Sequence, residues 1–348
     1  MRPQTAGLRP GRRAKWVAVR AAYGGGTAGL VGALSWGLVV AEAKLARRTI
    51  GEPTEHAPDP AGSYGRPRRG VKPVRLAMLG DSSAAGLGVD DSAETPGALL
   101  AGLLARDLGR RVELDLQAVT GARAKDLDIQ VQRALRHPVD VAVILIGAND
   151  VTHRVPAAEA TRALGRAIAT LRAAGVEVIV GTCPDLGSVK PLLQPLRSIA
   201  RWRSRQMAQA QAVVSVEHGA AAVSLGNLLG PEFATNPQMW SADRFHPSPA
   251  GYARVVDALL PSVLEALGVT STTEVIGDSV QDLDVAAAVA ASTPGLEVET
   301  VEGGEGAASV GPGRLARLRR RVPLVGGGAP AEPTSAEDLA AEAESDER

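Results

Sequence analysis

The chain has 348 residues, enough for one ordinary domain with appended segments or for two small domains. Its 38 basic side chains are balanced by 38 acidic ones, so no bulk positive field draws nucleic acid, and none is expected as a partner. A single cysteine, Cys183, excludes an internal disulfide and a cysteine-built metal cluster, and an aromatic content of 3% leaves the core to aliphatic side chains.

Residues 1–20 form a basic segment carrying Arg2, Arg9, Arg12, Arg13, Lys15 and Arg20. Residues 21–40 that follow are uncharged, over a length that crosses a bilayer as a helix. The excess of positive charge before this stretch predicts a cytoplasmic N-terminus and an extracytoplasmic remainder. Segment 21–43 therefore reads as a transmembrane anchor or, because Ala41-Glu42-Ala43 fits a small-x-small cleavage site, as a signal segment that releases a secreted protein. Residues 44–72 are rich in Pro, Gly and charge with no hydrophobic period and are expected to be a linker.

A folded domain is expected over 73–268. Apolar runs at 74–79, 112–118, 141–146, 176–181 and 220–225 read as buried strands. Helical patterns lie between them. Thr95-Pro96 supplies an N-cap and a first-turn proline for a helix to Leu108, with Gly109 just beyond its end. Further helices are expected at 156–174 and 198–217, and Ser248-Pro249 opens a last one to about Leu267. Strands alternating with helices predict an α/β domain whose parallel sheet is covered on both faces, with ligands at the carboxyl ends of the strands. Residues 269–348 are rich in Ala, Gly, Ser and Glu and are expected to be mostly disordered, with 314–321 a solvated basic run.

Chemistry-bearing residues fall at those strand ends. Gly80-Asp81-Ser82-Ser83 follows the first strand and exposes a serine near free backbone N–H groups; an ordinary strand-to-helix turn or a phosphate-cradling loop are the competing readings. Asp243-Arg244-Phe245-His246 stands just before the last helix, where Asp243 can accept the Nδ1 proton of His246 and leave Nε2 to take a proton from a serine. Asn149, in Gly147-Ala148-Asn149-Asp150, could donate to an oxyanion or serve as a turn residue. Gly121, past the second strand, could open a backbone N–H to substrate or be a plain turn glycine. Gly277-Asp278-Ser279 repeats the serine tripeptide without partners and reads as a decoy. Cys183 reads as a small apolar filler beside the pocket, and Phe233, Met239, Trp240 and Phe245 as core or acyl-pocket residues.

Gly80-Asp81-Ser82, Gly121, Gly147-x-Asn149-Asp150 and Asp243-x-x-His246 resemble, in order and placement, the four sequence blocks of the SGNH (GDSL-type) hydrolases, over about 74–267. Ser83 stands where the name-giving motif has Leu. The resemblance implies a three-layer α/β/α sandwich with a flavodoxin-like, five-stranded parallel sheet. It also implies a serine esterase or lipase with Ser82 as nucleophile, His246 as base and Asp243 as its partner. Ser82 N–H, Gly121 N–H and the Asn149 side chain would form the oxyanion hole. The expected substrates are ester-bearing small molecules, lipids or acylated glycans, with no metal or organic cofactor. An envelope carbohydrate O-deacetylase and a non-catalytic envelope-binding protein are the alternatives.

Overall fold

A computed structural model describes residue 42, residues 57–226 and 231–269, and the shorter stretches 273–275, 281–291, 293, 296–301 and 315–321. In chain order the first half runs β1 (Gly62–Tyr64), β2 (Val74–Gly80), α1 (Ser82–Ala85), α2 (Pro96–Leu108), β3 (Val112–Leu116), α3 (Leu127–Ala134), β4 (Val141–Leu145), α4 (Ala148–Thr152) and α5 (Ala157–Ala173). It continues through β5 (Glu177–Gly181), α6 (Leu196–Glu217), β6 (Ala221–Val223), α7 (Pro231–Thr235) and α8 (Pro249–Ala266). Beyond these lie β7 (Thr273–Val275), β8 (Gln281–Asp282), α9 (Leu283–Ala290), β9 (Leu296–Val301) and β10 (Leu315–Arg321).

Five strands pair in parallel in the order β3-β2-β4-β5-β6, the flavodoxin-like arrangement in which the chain reverses its direction of travel beside the first strand of the set. The central strands β2, β4 and β5 are buried on both faces, with alternate residues facing opposite helix layers, while β3 leaves Glu113 and Asp115 partly exposed. Leu76 and Met78 of β2, with Val141, Val143 and Leu145 of β4, meet Leu100 and Leu104 of α2 and Val256, Leu259 and Val263 of α8. Ala77, Leu79, Ala142 and Ile144 point the other way, onto Leu127 and Val131 of α3 and Leu164, Ile168 and Leu171 of α5. The helix boundaries follow their caps. Thr95 Oγ1 accepts from Ala98 N–H, Ser248 Oγ from Gly251 N–H, and Gly109 takes the left-handed conformation (φ 57°) that ends α2.

Two sequence expectations are corrected, the strand count and the start of the folded region. The sheet has ten strands among the described residues, not five, because antiparallel strands extend both edges of the parallel set. On one side β1, inside the expected linker, pairs with β3, so the folded region begins before residue 73. On the other side the C-terminal region 269–348, expected to be mostly disordered and for the most part outside the described residues, supplies β9 against β6, β10 against β9, and β7 and β8 against β10. The physical reason is a further apolar cluster. Leu283, Ala286, Ala287, Leu296, Val298, Ala316 and Leu318 are buried against Ala212 and Val216 of α6 and Ala222 of β6. The 314–321 run therefore contains a strand, with Ala316 and Leu318 buried.

The decoy 277–279, most of the 21–43 segment, and residues 322–348 lie outside the described residues. Among the described residues, no helix is long and apolar enough to cross a membrane.

Candidate active site

The site begins where β2 ends. Gly80 has φ 133°, and a Cβ there would lie 1.8 Å from the Leu145 carbonyl oxygen, so only glycine lets β2 finish against β4. Buried Gln130, on α3, holds both polar backbone groups of Gly80: its Oε1 accepts from the N–H at 2.8 Å and its Nε2 donates to the carbonyl at 2.9 Å. Asp81 then caps α1, its Oδ1 accepting from Ser83 N–H at 2.9 Å. Ser82 is the first residue of α1, so its own N–H has no acceptor within the helix.

The second half of the site is the turn before α8. Arg244 adopts φ 57°, which folds Asp243 back onto the residues that follow it. One carboxylate oxygen, Oδ2, stands 2.5 Å from His246 Nδ1. The other accepts from Ser241 Oγ at 2.6 Å, Phe245 N–H at 2.8 Å and His246 N–H at 2.9 Å. Burial by itself pushes the Asp243 carboxyl upward, but the bonds from His246 and Ser241 outweigh it and hold the group well below the usual carboxylate range. On the other side of the ring, His246 Nε2 lies 2.9 Å from Ser82 Oγ, joining residues 164 positions apart.

Two contacts keep these halves in register. Buried Tyr252 of α8 donates its hydroxyl hydrogen to the Leu87 carbonyl at 2.6 Å, tying the last helix to the segment after the serine. Gly88 packs beside the histidine turn, where a Cβ would come within 2.9 Å of both His246 Cβ and the Pro247 carbonyl.

Gly121 and Asn149 sit on the neighbouring loops. The chain after β3 stays alongside β2, with Val119 N–H on the Gly80 carbonyl, and then turns at Gly121 (φ 82°). No atom would block a Cβ at Gly121, so the backbone conformation rather than space requires glycine there. Asn149 Nδ2 donates to the Ala122 carbonyl at 3.1 Å, which points its amide nitrogen toward the Gly121 loop and leaves a second N–H on that nitrogen. Asp150 secures the same loop by accepting Ala124 N–H at 3.0 Å, and burial raises its carboxyl.

Asp81 is fully enclosed, and that burial pushes its carboxyl up to about 6. A cavity of about 50 Å³ opens beside His246, walled by Leu145, Ile146, Leu186, Val189, Leu225 and Phe245, with Asp81 and Thr182 as polar lining. Phe245 alone of the four aromatic and Met candidates lines it. Phe233, Met239 and Trp240 pack in the core below, Trp240 Nε1 donating to the Phe233 carbonyl at 2.6 Å with the two rings edge to face. Cys183 is fully buried, its thiol pushed well up by that burial, and does not line the cavity; its neighbours Thr182 and Pro184 do.

Sequence reasoning missed Gln130, Gln211, Asp150 and Tyr252. Gln211 mirrors Gln130 at the next strand ends, donating to the Ile146 carbonyl at 2.9 Å and accepting from Cys183 N–H at 2.7 Å. Polar residues on the apolar stripes of α3 and α6 are the one available signal for the glutamines. The Asn-Asp pair was read only for its first member.

The GDSL-like Lipase/Acylhydrolase family model matches residues 78–254. A GDSL-like esterase of Mycobacterium tuberculosis is 39% identical over 241 residues, covering 66% of this chain and 77% of that protein. Similar solved structures include TesA, with a TM-score of 0.45 at 22% identity over 55% of this chain and 99% of that one. An acetyl-xylooligosaccharide esterase variant from Geobacillus gives 0.46 at 19% identity, over 57% and 97% respectively. With that family match spanning Ser82, Gly121, Asn149 and His246, the chain belongs to the GDSL-like lipase/acylhydrolase family and is an esterase.

Proposed function

We propose that this chain hydrolyses short-chain carboxylic esters through an acyl-enzyme on Ser82. The observation that carries the reading is the unbroken hydrogen-bond series from Asp243 through His246 to Ser82 Oγ. Ser82 Oγ attacks the ester carbonyl carbon as its proton passes to His246 Nε2, and Asp243 holds the Nδ1 proton and stabilises the imidazolium that forms. The oxyanion of the tetrahedral intermediate takes hydrogen bonds from Ser82 N–H, Gly121 N–H and the remaining Asn149 Nδ2–H. Collapse expels the alcohol, which leaves with the proton from His246. Water then attacks the acyl-enzyme, giving its proton to the same nitrogen, and release of the acid restores Ser82.

A small acyl group is placed in the cavity that His246 and Ser83 line, whose walls do not include Ser82, Gly121 or Asn149. One water needs roughly 10–15 Å³ of such space, so the volume beside His246 suits a few heavy atoms better than a long chain. The same observation supports a second reading, removal of O-acetyl groups from an envelope carbohydrate. Segment 21–43 would hold the hydrolase outside the cytoplasmic membrane as an anchor, or release it if cleaved, in either case near esters of the cell envelope.

Kinetics on nitrophenyl esters of increasing acyl length test the reading. Activity is expected to be greatest at acetate to butyrate and to fall at least about 10⁴-fold in kcat in Ser82→Ala. A wild-type rate that rises steadily to long acyl chains would overturn the short-chain assignment, and a folded Ser82→Ala enzyme of undiminished rate would overturn the mechanism.

A further inference from the structure

Away from the hydrolase site, the start of α6 concentrates unusual surface chemistry. Between positions 185 and 205 the chain carries five bases, Lys190, Arg197, Arg201, Arg203 and Arg205, and one acid, Asp185. Asp185 is buried and shared between Arg201 and Arg205, at 3.4 and 3.3 Å, so the region keeps a net positive charge. Large apolar side chains stand exposed among these bases. Leu193, Ile199 and Trp202 all face solvent, Trp202 with 59% of its surface exposed. Trp and Leu set among bases are the composition of surfaces that lie on anionic lipid, where the apolar groups enter the headgroup boundary and the bases meet phosphate.

Glu42 ties this face to the N-terminal segment. It is buried, and its carboxylate accepts the N–H of Leu196, the first residue of α6, at 3.0 Å. Glu42 lies two residues beyond the uncharged stretch 21–40. The chain therefore joins the folded domain at the end of α6 that bears the basic, apolar face.

We infer that Leu193, Ile199, Trp202 and the bases around them form a second membrane contact, resting on the headgroup layer of a bilayer that contains anionic phospholipid. This rests on reading 21–43 as an anchor, and deepens it. Tethering at Glu42 places the face beside the bilayer at high effective concentration, so weak attraction suffices to hold it down. Leu186 and Val189, on the loop leading to this face, line the cavity beside His246. The contact thus keeps the acyl cavity one loop away from the headgroups, within reach of esters displayed at the membrane surface.

The sole cysteine is buried, which permits site-specific labelling of the full chain. Trp202→Cys and, on the opposite helix layer, Arg106→Cys would each carry an environment-sensitive nitrobenzoxadiazole probe. The labelled chains would be reconstituted into phosphatidylcholine vesicles, with or without phosphatidylglycerol, that contain headgroup spin-labelled lipid. Quenching is expected to be about twofold or more stronger at position 202 than at 106, to rise with phosphatidylglycerol and to weaken with added salt. Equal quenching at both positions in a chain that floats with the vesicles would overturn this contact and leave the anchor standing. A blue shift at 202 without lipid quenching would mean that protein covers the face, and would overturn it too. A chain that floats with neither vesicle would overturn the anchor and the contact together.

Discussion

Asp81 precedes the serine and is enclosed by protein, with Ser83 N–H as the donor to its Oδ1. Its carboxyl is pushed from 3.8 up to about 6 by burial, so the folded state holds this proton more tightly than the unfolded chain does. Such a group costs no stability below about pH 3, where both states are protonated. The cost grows as pH rises from there to about 6 and stays at its full value above, up to about 3 kcal/mol for a shift near two units. Asp81→Asn keeps an oxygen to accept Ser83 N–H and removes the charge. Thermal unfolding should show the variant stabilised relative to wild type at pH 8 and equal to it at about pH 3; an equal difference at both would refute this account. Asp243 has the opposite sign: its depressed carboxyl stabilises the fold above the usual carboxylate range and loses that contribution as pH falls below it. Both carboxylates stood out in the sequence by position, but their opposite shifts did not, since burial and hydrogen-bond donors are set by neighbours distant along the chain.

Among the elements, α8 holds the two halves of the site together, and its Tyr252 and Val255 also line the cavity. Its Tyr252 hydroxyl reaches Leu87, five residues past Ser82, while the turn at its N-terminus carries His246. Tyr252→Phe leaves the Leu87 carbonyl without this donor, which costs roughly 1–3 kcal/mol, and frees the histidine turn to drift from Ser82. The expected result is a lower kcat with little change in KM, alongside a lower unfolding temperature; loss of stability with kcat intact would limit Tyr252 to a structural part. Helices with strong punctuation were legible. Thr95-Pro96 and Ser248-Pro249 mark the starts of α2 and α8, and Gly109 ends α2 at the expected place. Helix α3 was not, because it is short and its buried face includes Gln130 beside Leu127 and Val131, a polar interruption explained only by the Gly80 backbone it serves.

On the scale of the whole molecule, the C-terminal strands complete the sheet rather than trail from it. A chain ending at residue 268 would lose β9 from the edge of β6 and uncover Ala212, Val216 and Ala222. Losing that burial is expected to cost about 2–3 kcal/mol and to leave an open strand edge prone to self-association. Chemical denaturation and light scattering of the shortened chain would check this, with esterase activity per folded molecule expected to persist because Ser82 and His246 lie away from that edge. Unchanged stability would mean that the added strands contribute nothing. The five parallel strands were readable because β2, β4, β5 and β6 are largely apolar runs, while β3 alternates apolar with acidic residues at the strand period. The edge strands were not, since the alternation of apolar with charged residues at 296–299 and 316–319 is only four residues long and is set in an Ala- and Gly-rich region.

From the residues in order came the alternation of strand and helix, the small turn holding Ser82 and the Asp243–His246 spacing, because these depend on local periodicity, glycine tolerance and a three-residue reach. Contact between Ser82 and His246, the clamps from Gln130 and Gln211, the size of the cavity and the recruitment of the C-terminal strands were decided only by tertiary structure. Each joins groups far apart along the chain, and such pairings form only when packing of two helix layers on one sheet makes burial outweigh the entropy of bringing them together.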